Sequence, residues 1–450
     1  MIYKRISLLA ALVLIHQIHG QSIEWQFSGE IRGRYETLDG QFRSNKTGGD
    51  QGFFMRSLFH LKAVNEKWTA GVEIQDSRSY LTDSGSAISN SYVNSADFLQ
   101  AYVEIPVSGF LSGDYLGSLK IGRQTVSIGS KRQIERVSFA NVIKAYTGGH
   151  LRLKNNGEDE WHAFVVSPVD RQPDDFDQIL DNRHEFDQEE FNRIIWGLHY
   201  RNADAFPELL PDTWGEIFAY GLYERDAFGN ESLNRRYLTP GFRIYRKKRV
   251  GLWNYDIEGA LRFGSRRATS APADTTDLDV FASMLLFRLG YTFDHTWEPN
   301  FAFQWYWASG DDDPNDGDFD QYERLFGGRR TDLNNTSLHG PLTPANLSAA
   351  GFRFEMLPTV RSTFRATYSA AFLASDTDSF IQGKQRDPGG GSGNFLGHVF
   401  DTRFTYQFDK NWGVELGASL FIHEDFTRNN PQAPAANYTS FLYSQLTYTF

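Results

Sequence analysis

The chain has 450 residues, no cysteine and a formal charge of −11; this excludes a disulfide framework and thiolate chemistry and speaks against nucleic acid as a partner. Aromatic residues make up 15% of it, yet its mean hydropathy is −0.47, as expected of strands whose apolar and polar residues alternate and cancel in a hydropathy window. Beyond the N-terminus there is no run of about 18 apolar residues, so no helix is expected to span a bilayer.

Residues 1–20 read as a secretory signal. Lys4 and Arg5 form a positive head and Ile6 to Ile15 an apolar stretch too short to span a membrane, with cleavage expected after Gly20. Loss of Lys4 and Arg5 takes the charge from −11 to −13, leaving an acidic mature chain, 21–450, expected to be one domain.

From there the chain repeats one pattern: about ten alternating residues, then turn chemistry. In 24–36, Trp25, Phe27, Gly29, Ile31, Gly33 and Tyr35 share one face, and Glu30, Arg32, Arg34 and Glu36 the other. Strands are expected next at 53–64, with Arg56, His60 and Lys62 inward, at 68–75, and at 96–105, with Leu99, Ala101, Val103 and Ile105 outward. The 118–128 segment loses its parity at Arg123, as a bulge or an inward twist would make it do. Then come 142–154, 160–167, 193–200, 215–225, 236–246 and 250–263. The most aromatic pair is 278–293 and 299–309, where Phe301, Phe303, Trp305 and Trp307 form one lipid-facing row. The series closes with 347–356, 360–374, 395–408, 412–423 and 438–450.

The last of these organises the reading of the fold class, and the recurrence of the pattern down the chain decides it. Phe450, Tyr448, Leu446, Ser444 and Leu442 form an almost wholly apolar row that runs to the carboxylate, with Thr449, Thr447 and Gln445 opposite. A final strand of this kind pairs with the first and closes a sheet into a barrel. The connections alternate in length, with 106–117 and 201–214 as exceptions. The expected fold is therefore all-β: a single antiparallel transmembrane barrel of about 18 strands in the outer membrane of a Gram-negative bacterium. Its final strand is the handle for the barrel-assembly machinery.

The inward rows carry many arginines: Arg32, Arg34, Arg56, Arg152, Arg243, Arg262, Arg288, Arg353, Arg361, Arg365 and Arg403. Arg123, Arg132 and Arg136 lie in a basic stretch that is a candidate to fold into the lumen. Rings of guanidinium attract anions. The competing reading is a bracing ladder, since Glu30, Glu73, Glu104, Asp256, Glu258, Glu355, Asp401 and Glu415 also point inward. The loops 310–346 and 375–394 are candidates to plug the pore. Asp311, Asp313, Asp316 and Asp318 are a weak calcium candidate, because Pro314 breaks the spacing of a calcium loop. No motif of hydrolase, zinc-protease or nucleotide-binding type occurs, and no cofactor is expected.

Two stretches resemble the alginate-export family of outer-membrane proteins. One is Leu119–Arg123 (L-K-I-G-R) followed by Gln124, Arg132 and Arg136. The other is Trp307–Pro314 (W-A-S-G-D-D-D-P) followed by Phe326-Gly327. The resemblance implies an eighteen-stranded barrel with a positive constriction that passes a polyuronate, and carries Arg123, Arg152, Arg353 and Arg403 over as pore-lining candidates. The function expected is passive diffusion of an anionic polysaccharide along arginines. Alternatives are a general porin for small anionic or polar nutrients and, from another class, an outer-membrane barrel enzyme.

Overall fold

Where apolar and polar side chains alternate, the backbone is extended, and the computed structural model assembles these segments into one antiparallel sheet. It describes residues 22–450 apart from 110, 112–113 and 228–230; the expected signal segment lies outside the described residues. The strands are β1 (Glu24–Asp39), β2 (Asp50–Asn65), β3 (Trp68–Tyr80), β4 (Asn94–Ser108), β5 (Leu116–Gln124), β6 (Tyr146–Lys154), β7 (Glu160–Asp170), β8 (Gln188–Glu189), β9 (Arg193–Asn202) and β10 (Thr213–Glu224). They continue as β11 (Arg236–Arg246), β12 (Trp253–Arg267), β13 (Asp277–Thr292), β14 (Asn300–Ala308), β15 (Asp318–Phe319), β16 (Leu347–Thr359), β17 (Ser362–Phe372), β18 (Phe395–Gln407), β19 (Trp412–His423) and β20 (Tyr438–Thr449). β8 and β15 are two-residue pieces of loops; the other 18 strands form the barrel. Two single-turn helices, α1 (Phe176–Leu180) and α2 (Asp425–Asn429), sit in long loops.

The last strand closes the sheet. β1 pairs with β2 from Glu24↔Val64 to Leu38↔Asp50, and with β20 from Glu30↔Thr449 to Asp39↔Ser440. The Phe450 amide donates to the Gly29 carbonyl at 3.1 Å and the Gly29 amide to the Phe450 carbonyl at 3.0 Å. The Phe450 ring lies 5.4 Å from Phe27 and 6.2 Å from Phe59. Gly29 is required here, because a Cβ would come within 2.5 Å of that ring. The outer face is apolar and exposed, as a lipid-facing surface must be: Trp25, Phe27, Phe59, Phe301, Phe303, Leu442 and Leu446 all point outward.

Both chain ends of the barrel lie with the short turns at 66–67, 155–159, 360–361 and 408–411, the periplasmic side of such barrels. The links 109–115, 203–212 and 293–299 are the longer ones at that end.

Three expectations are corrected. Leu99 does not face lipid: the register slips between Glu73↔Gln100 and Ile74↔Phe98, so Phe98 takes the outward position. This bulge turns Leu99 in, 3% exposed, against Leu58, Ile143, Ala145 and Val169. Second, β5 ends at Gln124 and β6 begins at Tyr146, so the parity lost near Arg123 marks the place where the chain leaves the wall. Third, Arg361 belongs to the periplasmic turn, exposed, donating to the Phe408 carbonyl at 2.9 Å.

Segments 125–145 and 320–346 fold into the barrel and pair with each other. Phe326 donates to the Gln133 carbonyl and Gly328 to that of Lys131, each at 2.9 Å, beside a parallel bridge between Ile134 and Phe326. Their apolar side chains, Ile128, Ile134, Leu333 and Leu342 among them, are buried with inward wall residues such as Phe164, Ile195 and Leu286. Fully burying each aliphatic side chain is worth roughly 1.5–3 kcal/mol, so this luminal body is packed like a core rather than draped over the mouth. The 373–394 loop joins it from above, where Gln321 Nε2 donates to Asp378 at 2.6 Å and Asn346 Nδ2 to the Ser375 carbonyl at 3.0 Å.

Candidate functional site

An inward side chain on a barrel strand meets either water or whatever fills the lumen, and the luminal body decides which. On the β1–β2 wall it takes the three arginines. Arg32 donates to the carbonyls of Ser138, Phe139 and Ala140 at 3.1–3.2 Å. Arg34, 0% exposed, pairs with Glu36 at 2.6 Å and donates to the Phe139 carbonyl at 2.6 Å. Arg56 pairs with Glu30 at 2.5 Å and reaches the carbonyls of Ser138 and Ala140 at 2.8 and 2.6 Å. These guanidiniums satisfy the backbone of a loop that makes few ladder bonds of its own.

At mid-lumen the polarity reverses, and the loop supplies the cation. Arg132 donates to Asp256 at 2.6 Å, Glu258 at 2.6 Å and Asp332 at 2.9 Å, all of them buried. Arg243 shares Asp256 at 2.7 Å, and Arg288 holds Asp332 at 2.5 Å. Burial pushes the Asp332 carboxyl up, but Arg132 and Arg288 hold it well below the usual carboxylate range. Arg262 donates to Thr239 Oγ1 at 3.1 Å and to the Glu323 carbonyl, with its guanidinium 4.6 Å from the Tyr322 ring. Arg123 is clasped by Asp187 of the 171–192 loop at 2.5 Å. Arg136 is half-buried, and its Nε has no hydrogen-bond partner.

The periplasmic side differs. Arg353 pairs with Glu355 at 2.5 Å and donates to the Thr331 carbonyl at 2.7 Å. Among the described residues Arg365 has only the carbonyls of Thr331 and Arg330 as hydrogen-bond partners, at 3.2 and 3.3 Å. Arg403 has the Asn335 side-chain oxygen at 2.9 Å and the Arg330 carbonyl at 3.4 Å, and its Nε has no partner. Both line a cavity of about 480 Å³ together with Lys248, Arg249, Glu355 and Glu415. Arg152 lies across this end of the barrel, paired with Glu160, its side chain 58% exposed. Asp401 answers neither arginine: it accepts from the Asn335 amide at 3.0 Å and from Ser419 Oγ at 2.5 Å, fixing the loop to the wall.

Thus the predicted residues divide. Arg34, Arg56, Arg132, Arg262 and Glu258 are buried in the contact between wall and luminal body, and Arg353 nearly so. Arg365 and Arg403 come together facing open space, and Arg152 faces water on its own. The acidic run does not gather: Asp311 is 6% exposed, Asp313, Asp316 and Asp318 are exposed, and among the described residues no group of three His, Asp or Glu converges as a metal ion would need. Sequence reasoning missed Arg330, which binds Glu415 and, at 2.6 Å, the Tyr443 hydroxyl, and Lys248, which binds Glu355. Both sit between strands, where no period reports direction. The one available signal was the density of Arg, Asp and Asn in Gly327–Asn335 (G-G-R-R-T-D-L-N-N).

A family model described as alginate export matches residues 24–441. No curated protein sequence matches the chain. Among solved structures, the outer membrane protein OpdK of Pseudomonas aeruginosa is similar over 95% of this chain and 98% of its own, with a TM-score of 0.57 and 10% identity. OccK2 (OpdF) of the same organism, in complex with glucuronate, is similar over 95% and 98%, with a TM-score of 0.58 and 12% identity. OccAB1 of Acinetobacter baumannii covers 95% and 96%, with a TM-score of 0.60 and 12% identity. At such identities the likeness is one of fold.

Proposed function

Because this chain belongs to the alginate-export family, we propose that it carries an anionic polysaccharide of the polyuronate type across the membrane, with no cofactor or energy source. Its barrel is a channel of the Gram-negative outer membrane. One observation carries the solute: Arg365 and Arg403 face a cavity with only neutral oxygens as partners, at 2.9–3.4 Å. A carboxylate makes shorter and stronger bonds to guanidinium than a carbonyl does. A passing uronate therefore gains at this place, while screening by water keeps each contact near 1 kcal/mol or less. Weak sites in series guide a polymer without trapping it. Residues 1–20 act as the export signal for the chain and β20 as its handle for barrel assembly.

A second reading, diffusion of small anionic nutrients, is favoured by the luminal body, which occupies space a polymer needs, and by the glucuronate complex of the similar OccK2 barrel. Planar-bilayer recording separates them. Polyguluronate should block the current at concentrations where sodium glucuronate does not, and R365Q/R403Q should weaken that block. Equal action of monomer and polymer would establish the small-solute reading instead.

A further inference from the structure

At the outer mouth, away from the arginines described so far, a cleft of about 630 Å³ opens between the loops after β12, β14 and β17. That is the size of a small-molecule pocket. Three carboxylates stand in it, of which Glu323 is paired with Arg266 at 3.0 Å. Asp378, 4% exposed, is fully engaged: it accepts from the Asp311 amide at 3.0 Å, Gln321 Nε2 at 2.6 Å and the Ser379 amide at 2.6 Å. Asp311, 6% exposed, lines the same cleft, and its carboxylate accepts no hydrogen bond among the described residues. A carboxylate so buried without a donor is costly unless something occupies the space before it. Opposite it in charge is Arg386. Its Nε donates to the Thr377 carbonyl at 3.1 Å and its Nη2 is buried, which leaves Nη1, without a hydrogen-bond partner among the described residues, to face the cleft. The remaining walls offer hydroxyl and amide groups from Thr276, Asn315, Gln321 and Ser379, with the Phe319 ring beneath Arg266 at 3.9 Å.

The cleft thus presents one unanswered acceptor and one unanswered cationic donor. A bare cation would find Asp311 but face Arg386. A bare anion would find Arg386 but meet three carboxylates. A molecule carrying both hydroxyl donors and a carboxylate answers both, and a sugar acid is such a molecule. We propose that this cleft binds one uronate unit at the outer mouth, with Asp311 accepting from its ring hydroxyls and Arg386 Nη1 donating to its carboxylate. The assignment of the sugar class rests on the polyuronate reading given above; the acceptor and donor pattern stands on the cleft alone. Burial, together with Asp378 and Asp316, pushes the Asp311 carboxyl up to about 6, so a bound hydroxyl donor would also favour its ionised form.

The test is a saturation-transfer NMR titration of the whole detergent-solubilised chain with sodium glucuronate, and with glucose as its neutral counterpart. D311N should weaken both sugars about tenfold, the scale of a lost hydrogen bond to a charged group. R386Q should weaken glucuronate by a similar factor and leave glucose unchanged; a purely structural loss would move both. If R386Q fails to reach the heat-modifiable folded form, R386K supplies this arm, keeping the charge but losing the second nitrogen. Unchanged glucuronate binding in D311N and in the arginine variant overturns the cleft. The vestibule variant R365Q/R403Q keeps the two failures apart. If it alone removes glucuronate binding, the cleft is wrong and the channel reading stands. If the cleft variants act while polyguluronate leaves the bilayer current untouched, the cleft stands and the polymer reading falls.

Discussion

Arg132 and Arg403 are both arginines inside the same barrel, and they do opposite things. Arg132 stands among Asp256, Glu258 and Asp332 at 2.6–2.9 Å, with its side chain 4% exposed. Arg403 has a carbonyl, an amide oxygen and a free Nε beside a cavity. The first closes a buried charge network; the second retains an attraction it has not satisfied. Pointing inward is therefore not the same as lining a pore. What separates the two is whether the contact between wall and luminal body brings acids to the guanidinium or only neutral oxygens.

The largest test breaks the first half of that contrast. R132A strips three buried carboxylates of their common partner, and removing one side of a buried pair costs about 3–5 kcal/mol. Loss of the heat-modifiable folded form, or a marked fall in its unfolding midpoint in urea, is the expected result. R365Q, at a guanidinium that no carboxylate bonds among the described residues, should stay within about 1 kcal/mol of the parent. Equal stability of the two variants would erase the distinction.

The second test sharpens the other half. R365Q/R403Q should lower the preference for chloride over potassium in reversal-potential measurements and weaken polyguluronate block about tenfold at low salt, if the two contacts together approach 1.4 kcal/mol. The difference should shrink in 1 M salt, where the screening length falls to about 3 Å. A matching loss in R34Q, whose guanidinium is fully buried, would mean that the constriction lies elsewhere.

Strand positions were legible because lipid outside and polar groups inside write a period of two into the chain. Phe450 could be read as the closing residue, and its bonds to Gly29 bear that out. Leu99 could not be placed, since a bulge shifts parity without changing composition. The division among the arginines was not legible either. Parity gives the direction of Arg132's partners Asp256 and Glu258, but Arg132, Asp332 and Asn335 sit in loops whose path is fixed by contacts made after folding. The pairing of Asp401 with the Asn335 amide rather than with Arg403 follows from that path and from nothing local.

The third test asks whether the luminal body must move. The chain has no cysteine, so N335C/S419C would be the only thiol pair, placed where Asn335 Nδ2 donates to Ser419 Oγ at 3.0 Å. Oxidation should slow polyguluronate capture several-fold while leaving glucuronate and small-ion currents nearly unchanged, and reductant should restore capture. The arginine-to-carbonyl bonds at 3.2–3.4 Å are the ones a polymer's carboxylates would replace, which requires the segment to yield. Unaltered capture in the locked form would show that the polymer passes beside a fixed body.

The smallest effect concerns the outer mouth, where an acid is buried without a cation strong enough to hold it ionised. Asp311 titrates near 6 in the folded chain against an ordinary 3.8, raised by burial first and by Asp378 and Asp316 next. Between those values the folded state binds more protons than the unfolded one, so its stability falls as pH rises through the window and the penalty is complete above about 6. D311N cannot ionise and should escape it. Its unfolding midpoint should exceed that of the parent at pH 7.5, by on the order of 1 kcal/mol in stability once water at the cleft is allowed for. The gap should close by pH 4, where the parent carboxyl is protonated in the folded state. Arg132 is expected to show the reverse dependence, because its acids include Asp332, held low: acid weakens that network. A parent protein more stable than D311N at pH 7.5 would mean that Asp311 has a donor in solution, and the contrast between answered and unanswered charges would then end at the membrane surface.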